Sequence, residues 1–199
     1  VAVSTAGNTS GSDFTTISEW TIGGKGSRQG ERSMRQSTWT KYEADLSAYA
    51  GQEVYIAIRH FNCTDQYLLD VDDVEITTGG GGNGGSTVKF DFEDGALTGW
   101  VTVDADGDGN TWFNSNDLLG PGNGYNGSNF YAMSESYINY VGPLNPDNYL
   151  ATAEKYAITA GSKISFWACA QDENYPFEHF GVAVSTAGNT SGSDFTTIS

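Results

Sequence analysis

Apolar residues recur at every second position in short runs along most of the chain. EVYIAIRHF (53–61) is the clearest run, and it would set Val54, Ile56 and Ile58 on one face of a strand. VKFDF (88–92), FGVAVSTA (180–187), KYEADL (41–46) and VDDVEI (71–76) carry the same period of two. KISFWACA (163–170) is almost wholly apolar, as a central strand covered on both faces would be. Turn chemistry separates the runs: GSDF, YAGQE, GPGNGYNGS and TAGSK. Only DLSAYAG (45–51) suggests a helical turn. Many short strands, glycine-rich turns and almost no helix predict an all-β fold, a β-sandwich.

The run TTGGGGNGGS (77–86) interrupts this pattern between two strand-like segments. It reads as a flexible linker. The chain is therefore expected to divide into residues 1–78, the C-terminal half of a sandwich, a linker at 79–85, and residues 86–199, the N-terminal half. A second regularity supports this order. VAVSTAGNTSGSDFTTIS occupies residues 1–18 and returns unchanged at 182–199. The offset of 181 residues suits one domain and points to one period of a tandem array. Half a sandwich exposes an open edge and an apolar face. On that ground at least one copy of the repeated segment is expected to be completed by another copy of the chain.

Composition narrows the function. Twenty-five acidic residues against nine Lys and Arg give a net charge of −16. Nucleic acid and anionic membrane surfaces need a basic face, so neither is an expected partner. Cations are. No apolar run reaches membrane-spanning length. Two cysteines, Cys63 and Cys169, are compatible with a disulfide or with buried thiols.

The sharpest chemical motif is Asp104-Ala-Asp106-Gly-Asp108-Gly-Asn110. Alternate carboxylates on a tight turn aim oxygens at one point, as Ca²⁺ requires. Three carboxylates within five residues repel one another unless a cation sits among them. The spacing follows the first half of an EF-hand loop, but Ser115 stands where the bidentate Glu would be, and a strand precedes the loop. Glu93 is the expected source of the missing carboxylate. A weaker acidic group is Asp70, Asp72 and Asp73 in LLDVDDVEI, with Asn145 and Asp147 in LNPDNYL. A strand would set Asp70 and Asp72 on one face and Asp73 on the other. A hydrogen-bonded carboxylate and a second metal site are equally compatible with that pattern. His60, three residues before Cys63, makes a nucleophilic pair conceivable, but no elbow or helix N-terminus activates the thiol, and strand packing is the expected role. There is no phosphate loop, because GGGGNGG lacks the Lys-Ser/Thr ending. The loop tyrosines, among them Tyr125, Tyr131, Tyr140 and Tyr175, are expected mainly in packing.

In the order 86–199 then 19–78 the chain resembles the cleaved-adhesin domain of gingipain proteases and related haemagglutinins. The stretches that carry the likeness are FEDGALTGWVTVDADGDGNTW, SYINYVGPLNPDNYLAT, ISFWACAQDENYPFEHFGVAVSTAGN and RHFNCTDQYLLDVDDVEI. The resemblance implies a jelly-roll β-sandwich similar to MAM domains, bound Ca²⁺, and a secreted or cell-surface bacterial adhesin without enzymatic activity in these residues. It implies one Ca²⁺ site on Asp91, through its carbonyl, Glu93, Asp104, Asp106, Asp108 and Asn110. It implies a second on Asn145, Asn126 of the GYNGSN loop, Asp72 and Asp73. Expected partners are other copies of the repeat and a host surface protein or glycan. A purely structural filament and a carbohydrate-binding module are the rival readings.

Overall fold

Alternation turns into two sheets whose inner faces meet. The computed structural model describes residues 14–23, 35–79 and 85–190. Its strands are β1 (Phe14–Thr21), β2 (Thr40–Asp45), β3 (Glu53–Phe61), β4 (Leu68–Thr78), β5 (Ser86–Phe90), β6 (Trp100–Asp104) and β7 (Phe113–Asn114). There follow β8 (Ala132–Glu135), β9 (Tyr137–Ile138), β10 (Gly142–Pro143), β11 (Asp147–Thr152), β12 (Tyr156–Ala157), β13 (Lys163–Ala170) and β14 (His179–Ser185). One antiparallel sheet has the order β1-β14-β3-β11-β6, with β12 on β3. The other has the order β2-β13-β4-β8-β7, with β5 on β4. β9 and β10 form a small separate hairpin. The result is the expected all-β jelly-roll sandwich. The helical turn suggested at 45–51 is a single 3₁₀ turn, Ser47–Tyr49.

Val54, Ile56 and Ile58 of β3 are fully buried in the inter-sheet core, where they share one cluster with Ile164, Phe166, Ala168 and Ala170 of β13. Period-two alternation on both strands puts these residues face to face. β3 also carries Ala57 on its outer face, where Phe14, Tyr149, Val103 and Ala183 bury it in a second cluster. The Arg59 guanidinium lies over the Phe61 and Tyr149 rings and caps this outer layer.

The two halves of the chain pack on each other. β4 pairs with β5, with Val74 opposite Phe90 and Thr78 opposite Ser86. β1 pairs with β14, with Phe14 opposite Ser185 and Thr21 opposite His179. Within the described residues, both copies of the repeated segment contribute to one sheet of this chain. Phe14–Ser18 from the first copy lies in β1 and Val182–Ser185 from the second lies in β14. The sheet needs one FTTIS strand and one VAVS strand, and the duplicated segment supplies them from opposite ends of the same chain. The rest of the first copy, 1–13, and 191–199 of the second lie outside the described residues.

One irregularity shapes the polar chemistry. β8 pairs with β4 over 68–71, and β5 takes over the same edge from Val74. Between them the β4–β13 register shifts, and Asp73 takes φ 47°. A bulge of this kind unpairs a residue and re-aims its neighbours. Asp72 is left fully buried and Asp73 exposed.

Candidate functional site

Strand β6 ends at Asp104 and the chain turns at once on two glycines, Gly107 (φ 76°) and Gly109 (φ 86°). Positive φ at both is open to glycine at little cost. The turn folds around Asp104, whose carboxylate accepts the Gly107 N–H at 2.7 Å and the Gly109 N–H at 2.9 Å. Asp108 accepts the Asn110 N–H at 2.7 Å, and Asp106 accepts the Asp147 N–H at 3.2 Å. Asp104, Asp106 and Asp108 thereby offer carboxylate oxygens that all lie within 4.8 Å of one another. Asp104 is half-buried and the other two are exposed. Partial desolvation, with Asp108 close by, pushes the Asp106 carboxyl up to about 6. Burial first and Asp108 second also raise Glu135 of β8, so the excess negative charge extends across this rim.

Glu93 meets the loop at 129–130. Its Oε1 accepts the Asn129 and Phe130 N–H groups at 2.7 and 2.8 Å, and its Oε2 accepts the Asn129 side chain at 3.1 Å. Asp91 accepts the Glu93 N–H at 3.2 Å. Both acids are felt by Asp73, whose carboxyl is raised by desolvation and, against the pull of Lys89, by Asp91, Glu75 and Glu93. The structure thus gathers the carboxylates of Asp104, Asp106 and Asp108, and couples Asp73 electrostatically to Asp91 and Glu93.

Asp72 meets the GYNGSN loop. Its Oδ2 accepts the Tyr125 N–H at 2.9 Å and the Ser128 hydroxyl. Gly124 permits this approach, because a Cβ there would meet Ser128 Oγ and Asp72 Oδ2. Burial pushes the Asp72 carboxyl up to about 7 although these donors favour its charge. Asn126 sits in the same loop with φ 51°. Asn145 lies elsewhere, in the wall of a pocket of about 290 Å³ that it shares with Asn62, Cys63, Thr64 and Pro146. Of the loop tyrosines, Tyr131 is buried, Tyr125 stacks on Trp167 with centroids 3.9 Å apart, and Tyr140 is 97% exposed.

Sequence reasoning missed one cluster. Neither cysteine is in a disulfide. Cys169 donates to Asp70 Oδ2 at 3.5 Å in the core. Cys63 sits beside His60 and Glu178, with Sγ 3.1 Å from His60 Nε2 and 3.4 Å from Glu178 Oε2. His60 Nε2 is 3.0 Å from Glu178 Oε2, and both side chains are fully buried. Burial opposes the imidazolium, but Cys63 and Glu178 outweigh it and push its pKa up to about 10. The sequence signal available was the His-x-x-Cys spacing in RHFNC; nothing marked Glu178 as its partner.

A two-sheet sandwich with its acidic chemistry on a rim loop defines the class: an all-β jelly-roll domain. The chain belongs to the cleaved adhesin family, matching the Cleaved Adhesin Domain over residues 1–76 and 87–199. It is 34% identical over 202 residues to Lys-gingipain of Porphyromonas gingivalis, an alignment that covers 100% of this chain and 11% of that protein. Gingipain R1 of the same species gives the same identity and coverage. Hemagglutinin A of Porphyromonas gingivalis is 29% identical over 235 residues, covering 73% of this chain and 11% of that protein. The chain thus spans about a tenth of the length of these relatives. No solved structure matches. Among the described residues no helix is long and apolar enough to cross a membrane.

Proposed function

We propose that this domain is a calcium-stabilised, non-catalytic adhesin unit of an exported, cell-surface protein. The adhesive role is supported by the family match and by relatives named as a hemagglutinin. Asp104, Asp106 and Asp108 carry the calcium reading, because their oxygens converge on a glycine-hinged turn with no basic side chain among their hydrogen-bond partners in the described residues. These residues, with Asn110 beside them, would hold the ion. Hard oxygen donors on a flexible loop are what Ca²⁺ prefers, and the ion would supply the positive charge that the triad lacks. Its role is structural: it pins the turn between β6 and the next strand. Asp72 and Glu93 accept loop donors, as the three triad carboxylates do, and their remaining lone pairs would be open to an ion. The proteolysis named in several relatives belongs to those proteins.

Thermal unfolding of the full chain in excess chelator and in added Ca²⁺ tests the stabilising role. The melting temperature falls on chelation and recovers on re-addition; an unchanged melt removes calcium from the reading. Binding of the chain to immobilised host-surface proteins, to erythrocytes and to a glycan array tests the adhesive role. Selective glycan capture alone would make it a carbohydrate-binding module. The identical segments at 1–18 and 182–199 favour a second reading, a repeat that assembles with its own copies. Ordered end-to-end polymers formed without added ligand would support it.

A further inference from the structure

We propose that His60, Cys63 and Glu178 form a zinc-binding site inside the sandwich, separate from the acidic rim. One imidazole nitrogen, one sulfur and one carboxylate oxygen lie within 4.8 Å of one another. These are three of the donor types that zinc takes, and Ca²⁺ does not choose sulfur or imidazole.

The spacing fits. A tetrahedral zinc with bonds of about 2.0–2.3 Å holds its ligand atoms about 3.4–3.6 Å apart. Here the separations are 3.1 Å (Sγ to Nε2), 3.0 Å (Nε2 to Oε2) and 3.4 Å (Sγ to Oε2). An outward movement of about 0.2–0.5 Å admits the ion. The thiol proton and the proton on His60 Nε2 leave to solvent as it enters.

The supporting shell is that of a ligand set already aimed. His60 Nδ1 is 2.9 Å from Ser134 Oγ, which fixes the ring and leaves Nε2 toward the cluster. Glu178 Oε1 accepts the Tyr67 N–H at 2.8 Å and the Ser136 hydroxyl at 2.9 Å, which leaves Oε2 on the metal side. His60 is on β3, Cys63 in the turn that follows it, and Glu178 directly before β14. The site therefore clamps the connection into β14 against the end of β3. Cys63 also lines the pocket bounded by Asn62, Thr64, Asn145 and Pro146. That pocket gives the ion a route and room for water as its fourth ligand, the arrangement of a three-ligand zinc centre.

The test uses the full chain, purified in the presence of Zn²⁺, desalted, and assayed for bound metal. One zinc per chain is expected, and excess Ca²⁺ should not displace it. Replacement by Co²⁺ should give a thiolate-to-cobalt charge-transfer band. Cys63→Ser should lose both the zinc and the band, whereas Cys169→Ser should keep them. Folded wild-type protein that retains no zinc, or a cobalt form without the thiolate band, overturns the proposal even if Cys63→Ser fails to fold. So does zinc retained in full by Cys63→Ser, which would place the ion on the acidic rim.

Discussion

The rim loop at 104–110 and the buried cluster around Glu178 both concentrate negative charge, yet they handle it in opposite ways. On the rim, three carboxylates face one another, Asp106 bonded to Asp104 as well as to the Asp147 N–H, while Asp104 and Asp108 accept N–H groups of their own turn. In the interior, Glu178 has both oxygens occupied by His60, Cys63, Tyr67 and Ser136, which come from three other segments. Burial explains the difference. A carboxylate withdrawn from water must be met by donors at once, whereas one at the surface keeps water until an ion replaces it. The interior group therefore joins the fold together, and the rim group is left to water or, on the proposed reading, to a cation.

The largest effect that would sharpen this contrast is at the interior. Glu178→Ala strips partners from the buried His60 ring, the Tyr67 N–H and the Ser136 hydroxyl together, and should cost about 3–5 kcal/mol in denaturant unfolding. A loss below about 1 kcal/mol would break the comparison, because Glu178 would then behave like a surface acid. Next comes calcium at the rim. At a Ca²⁺ concentration near 100 times Kd, the loaded protein should exceed the chelated one by about 2.7 kcal/mol. Asp108→Ala should abolish that difference while barely changing the chelated protein.

A smaller effect is expected at Asp70, a buried acid with one oxygen that has no hydrogen-bond partner among the described residues. Burial raises its carboxyl well above the ordinary 3.8, although Gln36 and Cys169 donate to it. The folded state therefore holds a proton on Asp70 that the unfolded state releases above about pH 4. That group makes stability fall as pH rises beyond this point. Asp70→Asn keeps an acceptor for both donors and should flatten that fall, read as stability measured across pH. The smallest effect is at Lys163, whose 2.7 Å ion pair with Glu43 is 46% and 50% exposed. Lys163→Ala should cost less than about 1 kcal/mol, and less again at high salt.

Much of this was legible in the alternation. Val54, Ile56 and Ile58 announce an inward face, and KISFWACA announces a covered strand; both lie in the core as read. Strand pairing was harder, because period two says which face a residue takes and not which strand lies beside it. The glycine run left open whether the strands on either side of it pair within one chain or between copies, and the structure pairs β4 with β5 in one chain. The triad of the rim loop was legible because its members lie within five residues and share one turn. The donors that Glu93 meets were not, since Asn129 and Phe130 are loop positions with no pattern of their own. The bulge at Asp73 was hidden for the same reason: it arises where β8 gives way to β5, a property of the edge rather than of the residues. Glu178 was the largest omission, being 118 positions from His60 and adjacent to a more conspicuous histidine.

The β4–β5 pairing also has a mechanical side. Thr78 and Ser86 lie opposite each other at one end of an antiparallel pair. Tension applied between those two residues acts across the pair rather than along it, so the ladder bonds, which run perpendicular to the strands, are loaded in sequence. Such a pair peels from its end inward, through Thr77–Thr87 and Ile76–Val88 before Val74–Phe90. A unit pulled at that point would yield at low force and lengthen stepwise. Tension between Phe14 and His179, at opposite ends of the β1–β14 pair, would instead have to shear many bonds together.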